Sequence, residues 1–164
     1  MIPRGKKFAV LSWFIIFYAY FWLHEFAGHY LTNLICGIPI SQMEIIGLRV
    51  GNILILPVAI SIIDSETPRI SHFMGGAISA LVLISASLVF FKLYKIRRKE
   101  RFFSLFSITL GIACIGLLEI IIEPFFPDYH RTLLNAIVLI VVAIIVPIVI
   151  NRVHLRKHDG ELIW

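Results

Sequence analysis

Apolar residues run in long stretches along this chain, and four stretches are long enough to cross about 30 Å of hydrocarbon as helices of about 20 residues. They are Phe8–Ile35, Ile70–Lys95, Phe102–Ile122 and Leu133–Ile150. A fifth run, Ile53–Ile63, is too short to cross and contains Pro57, so it reads as a strand or an interfacial piece. No soluble domain, linker, low-complexity tract or internal repeat separates these elements. The pattern predicts one membrane domain over residues 1–164, an α-helical integral membrane protein of about four transmembrane helices.

Composition supports this class and excludes a soluble one. Of 164 residues, 59% are hydrophobic and only 15% charged, with a mean hydropathy of +0.92. A soluble domain of that size could not hide so much apolar surface. Arg4, Lys6 and Lys7 flank the first stretch, which runs on without a small-residue cleavage site and so reads as a retained helix. Cys36 and Cys114 are isolated in sequence and read as small buried hydrophobes.

The net charge of +5 matters through its distribution. Basic residues gather before the first helix (Arg4, Lys6, Lys7), between the second and third (Lys92, Lys95, Arg97, Arg98, Lys99, Arg101) and after the fourth (Arg152, Arg156, Lys157). The other two loops hold Arg49, Arg69 and Arg131. Such alternation follows the positive-inside rule and predicts both termini and the 92–101 loop on the cytoplasmic side. The 95–101 run reads as a membrane anchor, with the bilayer as its partner and no nucleic acid expected.

Against this apolar background, His24-Glu25-Phe26-Ala27-Gly28-His29 stands out inside the first stretch. Ionisable groups at such depth mark a functional site by default, because hydrocarbon cannot solvate them. The cluster approaches H-E-x-x-H, in which two histidines on one helix face bind zinc and the Glu serves as general base. Here the histidines are five residues apart instead of four. On a regular α-helix five residues turn the chain by ~500°, which points the two rings ~140° apart. A π-bulge at Phe26–Gly28 would absorb the extra residue and bring them back to one face. Without a bulge, Glu25 and His29 form the i, i+4 pair, able to hold a metal together with His72 or Asp128.

The predicted topology gathers more polar groups at this level. His24 and His29 lie ~24 and ~32 Å beyond Phe8, in the outer half of the first helix. His72 opens the second helix, Glu119 and Glu123 close the third, and Asp128 and His130 lie in the turn before the fourth. Asp128 follows Pro127 and precedes a helix N-terminus, which makes it the best third ligand in the sequence, with an N-cap as its other role. His72 reads as a lining or helix-start group, and His130 as a partner of a ligand or an interfacial side chain. Glu119 and Glu123 are expected at the outer water boundary, one of them within reach of a ligand imidazole. The aromatic cluster from Trp13 to Trp22, including Tyr20, reads as helix-packing and lipid-facing material. His154 and His158 in the basic tail are expected to be solvated.

These residues resemble the site-2 protease family of intramembrane zinc metallopeptidases. That family typically continues its motif as His-Glu-Phe-Gly-His, which the present cluster matches with one residue inserted. The family places a short β-hairpin after the motif helix, and Pro39–Pro57 holds two β-rich runs, Gln42–Val50 and Ile53–Leu56, joined at Gly51-Asn52. Its next helix often opens with paired small residues, as Gly75-Gly76-Ala77-Ile78-Ser79-Ala80 does. Its third ligand is an Asp in a Pro-rich segment, which Glu123-Pro124-Phe125-Phe126-Pro127-Asp128 resembles without the family's Asn or the Gly after Asp. The resemblance implies a Zn²⁺ ion held by His24, His29 and Asp128, with Glu25 activating a water. It implies a substrate that is a transmembrane segment of another protein, added as a strand beside the hairpin. Family members usually open this site to the cytosol, whereas the charge pattern puts it nearer the outer face.

Two functions of different classes follow. One is a membrane-embedded zinc peptidase; the other is an inactive member of the same fold serving as a binding or scaffold subunit.

Overall fold

The computed structural model describes residues 4–37, 42–50, 53–62, 69–122 and 133–161, with side chains placed within 7–37, 69–122 and 137–154. Four helical segments are long and apolar enough to cross a membrane: Lys7–Ile35, Arg69–Arg97, Glu100–Ile122 and Ile137–His154. The molecule is therefore built as a multi-pass membrane protein. The first segment changes helix type as it goes. It begins as helix α1 (Arg4–Trp22), continues as a π-helix over Leu23–Tyr30 and ends as α2 (Leu31–Ile35). Cys36 and Gly37 end it, Gly37 at φ 66°, a left-handed conformation that glycine adopts at no steric cost. Cys36 is exposed at this helix end, not buried as expected, because the turn leaves it beyond the packed face.

Strands β1 (Gln42–Val50) and β2 (Ile53–Ile62) follow and pair antiparallel. β2 continues six residues past Leu56, through Pro57. The register explains how: Ile46 faces Val58 and Leu48 faces Ile55, so Gly47 alone opposes Leu56 and Pro57. Proline has no ladder donor and is tolerated where an extra residue breaks the ladder. β2 packs against both the π-helical segment and α1.

Helices α3 (Arg69–Arg97), α4 (Glu100–Ile122) and α5 (Leu133–Glu161) complete the fold. α4 is the central helix, with α1, α3 and α5 all packed on it. Its buried positions include Ile108, Ile112, Ala113 and Ile115, which meet Tyr20, Leu83 and Ala143 in the core. Lipid offers apolar side chains as good a home as the interior does, so close helix contact here depends on small residues. Gly76 and Gly116 provide it: a methyl group on Gly76 would come within 2.5 Å of the Gly116 carbonyl oxygen.

Pro147 lies inside α5. Proline has no N–H, so the carbonyl four residues earlier, that of Ala143, loses its helical donor. Trp13 supplies a replacement, its indole Nε1 donating to the Ala143 oxygen at 2.8 Å. The Pro147 ring fits against Gly111, and the Asn151 amide donates to Ser107 Oγ and the Pro147 carbonyl, both at 2.8 Å. Trp13→Phe is expected to cost about 1–3 kcal/mol by leaving a buried carbonyl without a donor. In a Pro147→Ala background the restored N–H meets that carbonyl, and the cost should fall below about 1 kcal/mol. Thermal unfolding of the two singles and the double in one detergent measures the difference.

α5 also runs on to Glu161 instead of ending near Ile150. The extension carries His154 onto the start of α4, where its ring stacks on Phe103 with centroids 3.7 Å apart. Its Nε2 lies 3.1 Å from Tyr94 Oη and 3.7 Å from Glu100 Oε2. His154 is thus a packed group, not the solvated one expected, because the helix outlasts its apolar stretch and an aromatic pair receives the ring.

Candidate metal centre

The local sequence explains the change of helix type. Leu23–Tyr30 carries one residue more than an α-helical H-E-x-x-H would need, and the chain absorbs it over eight residues of π-helix. In a π-helix each N–H reaches the carbonyl five residues back, so positions five apart stack one turn above another. The N–H of Leu31 accordingly donates to the carbonyl of Phe26. His24 and His29 then project to the same side, both buried, with their Nε2 atoms 3.0 Å apart. Their rings meet nearly edge-to-face, at 82°.

Glu25 completes a cluster with them. One ligand atom from each of His24, Glu25 and His29 can be chosen so that all lie within 4.8 Å of one another, with Glu25 less buried than the histidines. Among the described residues it is the one such group of three or more metal-binding side chains.

α3 and α4 hold the two imidazoles from behind. His29 Nδ1 lies 2.8 Å from the carbonyl oxygen of Ser71, in the first turn of α3. A carbonyl only accepts, so the proton sits on Nδ1 and Nε2 presents a lone pair. On the other side, His24 Nδ1 lies 3.1 Å from Glu119 Oε2. That carboxyl oxygen also accepts a hydrogen bond from the hydroxyl of Tyr20. Tyr20, Glu119 and His24 are all buried.

Two glycines admit this arrangement. A methyl group on Gly75 would fall 2.3 Å from His29 Nε2 and 2.8 Å from His24 Cε1, in the space beside both rings. One on Gly28 would meet Gly75 Cα at 2.4 Å, so the π-helix and α3 touch backbone to backbone.

The chemistry of this donor set fits zinc. Zinc–nitrogen bonds of about 2.0–2.1 Å in a tetrahedral site hold two imidazole nitrogens about 3.3–3.4 Å apart, close to the separation found here. Zinc-bound histidines also characteristically donate their second N–H to a carbonyl or a carboxylate; Ser71 provides such a carbonyl to His29, and the Glu119 carboxyl group lies near His24 Nδ1.

The structure therefore brings His24, Glu25 and His29 together and adds Ser71, Gly75, Glu119 and Tyr20 around them. His72 is buried beside Ser71 in the first turn of α3 and is outside the three-residue cluster. Asp128, Glu123 and His130 lie outside the described residues. Glu119 departs from its expected place at the water boundary: α4 is central, and the side of its last turn that carries Glu119 meets Tyr20 and His24. Tyr20 likewise leaves the lipid-facing aromatic set. It falls four residues before His24, on the same helix face, which the sequence spacing does carry. Comparison of the chain with family models, curated proteins and solved structures found no match.

Proposed function

We propose that this protein is a membrane-embedded zinc metallopeptidase of the site-2 protease type, which hydrolyses a peptide bond in or near a transmembrane segment of another protein. One observation carries the reading: two buried imidazoles meet Nε2 to Nε2 at 3.0 Å, with the Glu25 carboxyl group beside them. Two such nitrogens so close in an apolar surround call for a shared cation or a proton between them. His24 and His29 would be two ligands and Asp128 the third. Zinc at such a set supplies Lewis acidity and a water acidified towards neutral pH. Glu25 then takes the proton of the attacking water and passes it to the leaving amine, for which its partial exposure beside the ligands suits it.

The β1–β2 pair supports the substrate class. It has two strands among the described residues, and β2 lies against the π-helical segment that carries His24 and Glu25. A transmembrane substrate must leave its helix to be cut, and its freed backbone groups then need partners that lipid cannot give. Adding the unwound segment as a third strand satisfies them and fixes it near Glu25. The distribution of basic residues favours cytoplasmic termini and a centre nearer the outer face.

Zinc content of the purified protein tests the reading. About one zinc per chain is expected in the wild type and none in His29→Ala or Asp128→Ala. Glu25→Gln should keep its zinc and cleave a transmembrane reporter about 10²–10⁴-fold more slowly. A folded wild type without zinc overturns the proposal. Zinc without Glu25-dependent cleavage would assign the chain instead to the inactive, binding form of the fold.

A further inference from the structure

A groove of about 360 Å³ runs between α1 and α5, with α4 as its floor. Val10 and Phe14 form one wall, Ile144 and Ile148 the other, and Ile108 lies beneath them. All four wall residues are exposed, so the groove opens outward to lipid. Its polar lining residues, Ser104 and Asn151, lie together at one end, beside the start of α4. Trp13 lies towards the other end, where its indole reaches the Ala143 carbonyl at 2.8 Å and links the two walls.

A basic residue continues each of the three helix faces past the polar end. On α1, Lys7, Val10 and Phe14 recur at i, i+3 and i+7; on α4, Arg101, Ser104 and Ile108 do the same. α5 runs in the opposite direction, and Ile144, Ile148 and Arg152 follow at i, i+4 and i+8. Such spacings keep to one side of a helix. Each helix therefore sets a cation about one turn beyond the groove, and Lys7, Arg101 and Arg152 are all exposed there. The Arg101 guanidinium rests over the Phe102 ring, 5.1 Å from its centroid. Glu100, the acid beside it, has its carboxyl group 3.7 Å from His154 Nε2.

We propose that this groove is a binding site for one anionic phospholipid, which lays an acyl chain along the walls and its phosphate among Lys7, Arg101 and Arg152. Charge complementarity selects this occupant. Cations gathered at the headgroup level each add to the binding of an anionic lipid. A zwitterionic lipid offers the same chain but brings a cation alongside its phosphate, which cancels most of that attraction. A helix of another protein fits less well, because the Trp13–Ala143 hydrogen bond keeps α1 and α5 from spreading around a cylinder about 10–12 Å across. The inference is independent of the metal centre.

Quenching of Trp13 fluorescence by brominated acyl chains reads the groove from within, using the chain with Trp22→Phe and Trp164→Phe in place. Phosphatidylcholine vesicles carry a minority of brominated phosphatidylglycerol or, for comparison, of brominated phosphatidylcholine. The brominated phosphatidylglycerol is expected to bind at Trp13 about 10–100-fold more tightly than the brominated phosphatidylcholine. Lys7→Gln, Arg101→Gln and Arg152→Gln together should bring that preference within about twofold of unity. Lys92→Gln, Lys95→Gln and Lys99→Gln together remove the same charge from α3 and the turn after it, off the groove, and should leave most of the preference. Equal quenching by the two lipids before any charge is removed overturns the proposal, since it marks an ordinary lipid-facing surface. So does an equal loss of preference in the two triple variants, which would assign it to the basic surface as a whole. Quenching by neither lipid overturns it too, because the groove would then be covered by a second copy or a partner helix.

Discussion

Gly75→Ala is expected to lose zinc affinity by roughly 100-fold or more. The added carbon would lie 2.3 Å from His29 Nε2 and 2.4 Å from its Cε1, well inside contact distance. A flexible side-chain end ordinarily swings away, but His29 is tied at Nδ1 to the carbonyl of Ser71, one turn before Gly75 on α3. α3 therefore cannot retreat without pulling the anchor with it. Ring and anchor would separate, and the pair of Nε2 atoms would part. Gly111→Ala is the matching control. Its methyl group would press on the Pro147 ring at 2.5 Å, between α4 and α5 and away from the histidines. It should lower thermal stability by about 1–3 kcal/mol and leave the zinc affinity within about twofold of wild type. Isothermal titration of folded protein with zinc, next to thermal unfolding, checks both. Equal zinc affinity in wild type and Gly75→Ala would mean that the rings are not confined by α3.

Much of this centre could be read from the chain because membrane burial makes polar residues conspicuous. His24, Glu25 and His29 stand out in an apolar stretch, and the five-residue spacing poses a geometric question that the structure answers with a π-helix. The four long helical segments followed from hydropathy for the same reason. What the chain concealed depends on which helix is central. Glu119 near a helix end looks like an interfacial carboxylate until α4 is known to be surrounded by α1, α3 and α5. Tyr20 sits in a run of aromatics, and only its position four residues before His24 sets it apart from them. Likewise, nothing in hydropathy announces that a tryptophan in α1 serves the carbonyl freed by a proline in α5, 130 residues later. Contacts of that kind belong to the assembled bundle and leave no local mark.

Adding one alanine after Ala27 is expected to abolish zinc binding, whereas deleting Ala27 should leave it within about tenfold of wild type. The reasoning is rotational. A π-helix gives one residue more per turn than the hydrogen-bonding pattern of an α-helix, so it converts a spacing of five into the alignment that a spacing of four has in an α-helix. Deletion of Ala27 yields His-Glu-Phe-Gly-His, which an ordinary α-helix aligns without help. The flanks Arg4–Trp22 and Leu31–Ile35 keep their faces, because the residue removed is the one the π-helix accommodates. Tyr20 then still meets Glu119, and Gly28 still meets Gly75. Insertion spaces the histidines six apart, ~600° on an α-helix and thus ~120° from alignment. No common helix type has a six-residue repeat that would absorb it. One ring would leave the site, and either Ser71 or Glu119 would lose its imidazole. Zinc stoichiometry of the two variants, with circular dichroism to confirm that both remain helical, decides the matter. Loss of zinc in the deletion variant would show that the π-helix does more than correct a spacing, by setting ring orientations that a regular α-helix cannot reproduce.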